Sequence, residues 1–175
     1  MFSMSGKQRG ISLVELMSTI SIIAIVNAVA GPALSDTVRR NQLQSQADRL
    51  LTSFHLARSE AVKRNTAVSI CRSSDGTSCT GDWRDGWIVF SNLDGDNVLD
   101  AEDEVIRVYD ELSDGHALAG SLGTNALTYF PDGSYANGSD TISVCVLGGD
   151  LAEGYTLSIN RVGRPRASKG ASSCS

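Results

Sequence analysis

The first third of the chain has the hydrophobic pattern of one long helix with two different halves. Residues 11–34 are almost continuously apolar, and a run of this length exceeds the roughly 20 residues with which a helix spans a bilayer core. Further along, apolar residues recur at alternating steps of four and three, as on a helix with one buried face. The pattern predicts a helix over residues 11–64, membrane-spanning over 11–34 and amphipathic beyond. The stripe of the second half consists of Leu43, Ala47, Leu50, Phe54, Ala57 and Ala61.

After residue 65 the hydrophobic period changes to two, which is typical of strands. Short β-branched or aromatic runs follow, separated by turn residues such as Pro131-Asp132-Gly133. A single helix followed by strands favours an α+β fold, with an antiparallel sheet or two small sheets packed against the helix stripe. We therefore expect residues 65–175 to form one β-rich head domain. The predicted strands cover residues 66–71, 86–90, 105–109, 126–130, 141–146 and 155–159.

Length and charge limit the classes of protein to consider. The chain has 175 residues, of which 41% are hydrophobic, and this suits one compact domain plus one membrane segment. Residues 66–175 carry 16 acidic and 7 basic residues, a net charge of −9. Such a surface is soluble and does not generally attract nucleic acid. Beyond Gly154 the acids stop, and the basic residues are Arg161, Arg164, Arg166 and Lys169.

The segment before the apolar run is short and basic. Lys7 and Arg9 precede it, and the positive-inside tendency then leaves the amino terminus in the cytoplasm and the head in the bacterial periplasm. An ordinary secretory signal has its cleavage site after the apolar stretch. Here the candidate processing point, Gly10, lies before it. Cleavage at Gly10 would leave the apolar segment on the mature protein.

The sequence Gly10-Ile11-Ser12-Leu13-Val14-Glu15-Leu16 resembles the type IV prepilin leader. The resemblance implies that prepilin peptidase cleaves between Gly10 and Ile11 and methylates the new amino terminus at Ile11, although the family usually has phenylalanine there. It also implies that Glu15 pairs with the terminus of a neighbouring subunit during assembly. A carboxylate inside a membrane span costs a few kcal/mol and so needs a functional reason. The alternative is a plain signal anchor with Glu15 at the headgroup level.

The cysteines all follow the predicted membrane segment, where disulfides can form and persist. Four cysteines allow three pairings. We expect Cys71 to pair with Cys79, which closes a short polar loop, and Cys145 to pair with Cys174, which ties down the carboxyl tail. A structural zinc site is the competing interpretation, but the spacing matches no common zinc motif. We therefore predict no metal ligands among the cysteines.

The whole chain resembles the minor pilins and pseudopilins of the GspH, FimT and FimU group. The resemblance rests on the leader, the amphipathic helix, the cysteine-closed loop, the segment 82–90 and strands that end near Gly163-Arg164. It implies a pilin-like α+β fold and a structural subunit of a type IV pilus, in its priming or tip complex. The expected partners are prepilin peptidase, other major and minor pilins or pseudopilins, and the inner membrane. A pseudopilin of type II secretion is an alternative with the same leader and head.

Two charged segments suggest ligands. The run from Asp94 to Glu104 is rich in side chains with oxygen ligands, which suggests a calcium site. Counted from Asp94, however, it lacks a glycine at the sixth position of the twelve-residue loop, so an acidic hairpin turn is the preferred interpretation. Gly163-Arg164-Pro165-Arg166 resembles the element with which FimT-type pilins are thought to hold DNA during natural transformation. That resemblance makes Arg161, Arg164, Arg166 and Lys169 candidate DNA-binding residues, while arginines that bridge to a neighbouring pilin would give the same pattern.

Enzymatic chemistry has no support in the sequence. There is no nucleophile elbow, metal-ligand helix, phosphate loop or cysteine–histidine pair. His55 lies beside the helix stripe, where a packing role is the simpler interpretation. We predict a protein that is not an enzyme and needs no cofactor.

Overall fold

The computed structural model describes residues 12–120 and 126–173, and for residues 27–36 it describes the backbone only. Helix α1 covers Leu13–Arg64. It ends at Asn65, whose φ of 54° is the left-handed conformation common after a helix. The strands that follow are β1 Ala67–Arg72, β2 Trp87–Asn92, β3 Val105–Tyr109, β4 His116–Gly120, β5 Ala126–Tyr129, β6 Asp140–Val146, β7 Tyr155–Ile159 and β8 Pro165–Lys169, with a short 3₁₀ helix over Leu151–Glu153.

The strands form two antiparallel four-stranded sheets. The first has the order β3-β2-β1-β5 and the second the order β4-β6-β7-β8. The predicted class, a long helix packed against an antiparallel β-rich head, is confirmed. All six predicted strands are present, and the described residues contain two more, β4 and β8.

The core lies between the helix stripe and the inner faces of both sheets. All six stripe residues are at most 2% exposed, and they join one cluster with Ile70 and Trp87 of the first sheet and Val144 and Leu157 of the second. The alternating four-and-three spacing placed them on one helix face, and burial of that face stabilises the head.

The outer face of the first sheet is covered as well. Phe90 and Ile88 of β2 form a second small cluster with Cys71, against which Leu99 and Cys79 pack from the loops. Strand β2 is therefore buried on both faces, which explains its continuous apolar run Trp-Ile-Val-Phe.

The chain divides into two compact units, one ending at Arg39 and the other starting at Arg40. In the first unit, the described large apolar side chains of α1 are exposed, for example Leu13 at 73% and Ile25 at 66%. Within the part of the chain that the structure describes, no helix is both long and apolar enough to cross a membrane. The predicted span 11–34 and leader 1–10 include residues outside that part.

Candidate functional site

The predicted processing residues, Gly10 and Ile11, lie outside the described residues. Glu15 lies in the first turn of α1 and is exposed. Its backbone carbonyl accepts a hydrogen bond of 2.9 Å from the Ser18 hydroxyl. A carboxylate in the first turn also complements the positive end of the helix dipole. The position of Glu15 is compatible with its predicted role but does not test it.

The predicted basic residues lie mainly on the hairpin between β7 and β8. We call residues 160–166 the basic turn. The Gly163 N–H donates to the Asn160 carbonyl at 2.8 Å, and the Arg164 N–H donates to Asn160 Oδ1 at 2.9 Å. These bonds close the turn locally. Gly163 has a φ of 72°, a conformation that glycine adopts without a steric penalty.

Contacts from outside the hairpin hold the basic turn in place. Arg58 of α1 donates through Nε to the Gly133 carbonyl at 3.0 Å and through a terminal nitrogen to the Val162 carbonyl at 3.1 Å. The Tyr135 N–H donates to the Arg161 carbonyl at 3.0 Å. A Cβ on Gly163 would lie 2.0 Å from the Gly133 oxygen. The turn is thus tied to both the helix and the 130–134 turn.

The structure brings only part of the predicted basic set together. Arg164 and Arg166 are exposed and line one cavity of about 430 Å³. Arg161 is exposed on the same turn. Lys169 lies at the other end of β8, paired in register with Tyr155, and three to four residues of strand place it about 10–13 Å further along.

Asp140 lines the same cavity as Arg164 and Arg166. Its carboxylate accepts a hydrogen bond from the Tyr135 hydroxyl. Burial, together with this bond, raises the pKa of Tyr135 well above its usual range. One carboxylate therefore partly offsets the two arginines, and nothing in the strand pattern of the sequence indicated that Asp140 would lie beside them.

The acidic loop between β2 and β3 is the place where described residues could hold a metal ion. One carboxylate oxygen each from Asp94, Asp96 and Asp100 lies within 4.8 Å of the others. Counted from Asn92 instead of Asp94, these are the third, fifth and ninth positions of a twelve-residue loop, and Asn97 at the sixth has a φ of 66°. All three aspartates are exposed, and exposed carboxylates also gather without a cation.

The structure contains the disulfide between Cys71 and Cys79, with an S–S distance of 2.07 Å. It fastens the loop after β1, as the local spacing predicted. Sγ of Cys145 lies 3.5 Å from the carbonyl oxygen of Ser173. Its predicted partner, Cys174, lies outside the described residues, so this second pairing stays a prediction.

A second charged cavity, of about 440 Å³, was missed by the sequence analysis. We call it the acidic pocket: Asp75, Asp85, Asp110 and Glu111 line it together with Val108 and Tyr109. The Thr77 N–H and the Ser78 hydroxyl donate to Asp75, and these bonds hold its pKa well below the usual range. Arg49 of α1 lies nearby, but it donates to the backbone carbonyls of Asp110 and Glu111. The four acids come from three separate segments of the chain, at Asp75, Asp85 and Asp110-Glu111, which is why no motif revealed them.

A long helix whose second half packs under a β-rich head of two antiparallel sheets is the fold of pilin-like subunits. Residues 46–163 match the family model described as Type II transport protein GspH. The match covers more than half of the chain, and the protein belongs to this family.

Solved structures of pilin subunits have the same fold. The type IV minor pilin FimU of Pseudomonas aeruginosa is 26% identical, with a TM-score of 0.63 over 79% of this chain and 99% of FimU. The minor pseudopilin EpsH from the type 2 secretion system of Vibrio cholerae is 15% identical, with a TM-score of 0.54 over 73% of this chain and 97% of EpsH. No curated protein sequence matches the chain. The similar proteins are pilin and pseudopilin subunits rather than enzymes.

Proposed function

We propose that this protein is a minor pilin, a structural subunit that prepilin peptidase cleaves between Gly10 and Ile11 and methylates at Ile11. The proposal places it in the inner membrane with the head in the periplasm, and then in the priming or tip complex of a type IV pilus. The likeness to FimU over 99% of the FimU chain in its solved structure is the main support. The alternative filament is a pseudopilus of type II secretion. The description of the matching family, Type II transport protein GspH, supports this alternative as much as the likeness to FimU supports a pilus.

The exposed first half of α1 supports a role in assembly. Side chains such as Val14 and Ile22 are 72% and 61% exposed in the single chain, and an exposed apolar surface of this extent needs a covering. Lipid would cover it before assembly, and neighbouring helices would cover it in a filament. Glu15 then supplies the single charge that recruits the next amino terminus.

The processing step is tested with Gly10→Val. Because such cleavage sites accept only a small residue, the variant should insert in the membrane and keep its leader. Mass spectrometry of the membrane-extracted protein measures the mature terminus. A normally trimmed terminus would refute the prepilin interpretation.

The assembly step is tested with Glu15→Ala and with Glu15→Gln as its uncharged isostere. Both should insert at least as well as the native chain, because a charge is removed from the apolar segment. Both should be depleted from sheared pili and from cross-links to other pilins. Normal incorporation would show that the carboxylate is dispensable. Loss of the variants from pili while type II secretion stays intact would favour the pilus over the pseudopilus.

A second candidate function is DNA capture, favoured by the shared exposure of Arg164 and Arg166 in one cavity. Guanidinium groups match phosphate oxygens in geometry. The acidic head makes weak binding the expectation, with a Kd of about 10⁻⁴ to 10⁻⁶ M that rises with salt.

The full chain in detergent should therefore lose duplex binding when Arg164 and Arg166 are changed to glutamine. Arg107→Gln is a matched control, because Arg107 is also exposed but lies on β3 of the other sheet. Equal binding by the double variant, or binding that does not depend on salt, would eliminate the basic turn as a DNA site.

A further inference from the structure

The head carries an acidic surface and a basic surface at different positions along α1. The acidic pocket lies beside Arg49, which donates to the Asp110 and Glu111 carbonyls. The basic turn lies beside Arg58, which donates to the Val162 carbonyl. Nine residues of helix separate the two arginines, a distance of about 14 Å along the axis. The pocket and the turn are therefore displaced from each other in the direction of the helix.

The basic turn and the acidic pocket also match in composition. The turn presents three exposed arginines, with Val162 at its tip 57% exposed. The pocket presents four exposed carboxylates, and Val108 on its wall is 47% exposed. Its lining residues include no arginine or lysine. Each surface therefore combines an exposed valine with charges that are mainly of one sign, since only Asp140 among the residues that line the cavity of Arg164 and Arg166 is acidic, and the prevailing signs are opposite.

We propose that the basic turn of one copy of this protein docks into the acidic pocket of a second copy. Val162 would contact Val108, and the three arginines would face the carboxylates of Asp75, Asp85, Asp110 and Glu111. Two heads of net negative charge repel each other in general, so a local match of opposite charge decides where they meet. The two surfaces lie on different parts of one head, so such a contact is heterologous, and its repetition either closes into a ring or extends into an open chain of copies.

This inference rests on the proposed function only because a filament would bring two heads side by side. Docking itself needs neither cleavage at Gly10 nor the Glu15 contact, so it can be tested on the purified full chain in detergent. Failure of docking would leave the processing and assembly tests unaffected.

The experiment uses disulfide cross-linking between two differently tagged full-length chains. One carries Val162→Cys and the other Val108→Cys, and mild oxidation of the mixture should give a mixed dimer whose 108–162 linkage is mapped by mass spectrometry. The matched control replaces Val108→Cys with Val98→Cys. Val98 is 54% exposed and lies in the acidic loop with Asp94, Asp96 and Asp100, so attraction to any acidic surface would link it equally well. We expect about tenfold more product with position 108.

Charge reversal provides the second arm. Arg161→Glu with Arg164→Glu should reduce the 108–162 product about tenfold, and Asp110→Arg with Glu111→Arg in the partner copy should restore it. All four side chains are exposed, and thermal unfolding of each variant verifies that the head remains folded. Raising the salt concentration should lower the native yield, because exposed charges are screened. Equal yields at positions 98 and 108, or no recovery in the doubly reversed pair, would overturn the proposal.

Discussion

Gly163 is the residue on which the shape of the basic turn depends most directly, and its substitution gives a quantitative test. In Gly163→Ala the new Cβ would lie 2.0 Å from the Gly133 carbonyl oxygen, with φ at 72°. A left-handed conformation costs a non-glycine residue about 1–2 kcal/mol. The clash adds to this, because the Gly133 oxygen accepts from Arg58 Nε at 3.0 Å and cannot retreat without losing that bond.

A hydrogen bond to a charged group contributes about 1.5–3 kcal/mol. We therefore expect Gly163→Ala to lower the free energy of unfolding by about 2.5–5 kcal/mol, the sum of backbone strain and the lost Arg58 bond. Gly148→Ala is the matched control. Its φ is 69°, and a Cβ there would meet nothing within 4 Å. This variant should show the backbone strain alone, about 1–2 kcal/mol.

Urea unfolding of the full chain in detergent, followed by tryptophan fluorescence, measures both values. Trp83 and Trp87 are 5% and 0% exposed in the head, so their emission reports its unfolding. Equal losses for the two alanine variants would mean that the Gly133 carbonyl moves without cost and that the basic turn is not rigidly held.

The remaining predictions concern the tyrosines and the disulfides. The Tyr129 hydroxyl is buried and makes no hydrogen bond, whereas the Tyr135 hydroxyl donates to Asp140. Tyr129→Phe should therefore keep or raise the Tm, and Tyr135→Phe should lower the free energy of unfolding by about 1–3 kcal/mol. A larger loss from Tyr129→Phe than from Tyr135→Phe would contradict these hydrogen-bond partners. Burial raises the pKa of both phenols above 10.0. Their contribution to the stability of the fold is therefore present below about pH 10 and is lost as the pH rises further. In urea unfolding across pH 8–12, the free energy of unfolding of the native head should fall more above pH 10 than that of a Tyr129→Phe/Tyr135→Phe variant. Cys79→Ser opens a loop with a sequence separation of 8 and should lower the free energy of unfolding by about 2.5 kcal/mol. Cys174→Ser should lower it by roughly 3 kcal/mol or somewhat more, because the loop of its predicted disulfide is longer. Peptide mapping that joined Cys145 to any residue other than Cys174 would refute the second pairing.

The sequence predicted the parts of the fold that have a regular apolar period. The stripe from Leu43 to Ala61 is buried as expected, because one helix face packs on both sheets. Strand β8 was missed because it is an edge strand whose residues after Pro165 are exposed. Its side chains show no apolar alternation, and its Pro165 suits the first residue of an edge strand. Its hydrogen bonds to β7 define it, and these cannot be seen in its composition.

The candidate sites were predictable only where their residues are neighbours in sequence. Arg164 and Arg166 were identified because they stand two apart. Asp140 was not, because it reaches the same cavity through the pairing of β6 with β7. The acidic pocket likewise combines the loop after β1 with the end of β3. Such sites depend on which strands lie next to each other in the sheets. The local hydrophobic period of a strand does not show which strand it pairs with.

The two proposed partners of the basic turn, DNA and a second head, make different demands on Val162. Phosphate binding needs the guanidinium groups of Arg164 and Arg166, and a valine at the tip of the turn adds nothing to it. Docking into the acidic pocket also buries apolar surface, since Val162 is 57% and Val108 is 47% exposed in the single chain. Val162→Ser keeps every charge and leaves the backbone carbonyl that accepts from Arg58. It should therefore leave duplex binding unchanged and weaken the association of heads several-fold, because burial of a valine side chain contributes about 1.5 kcal/mol or more when complete. A parallel loss of DNA binding would show that the turn itself had been disturbed, and an unchanged association would remove Val162 from the interface.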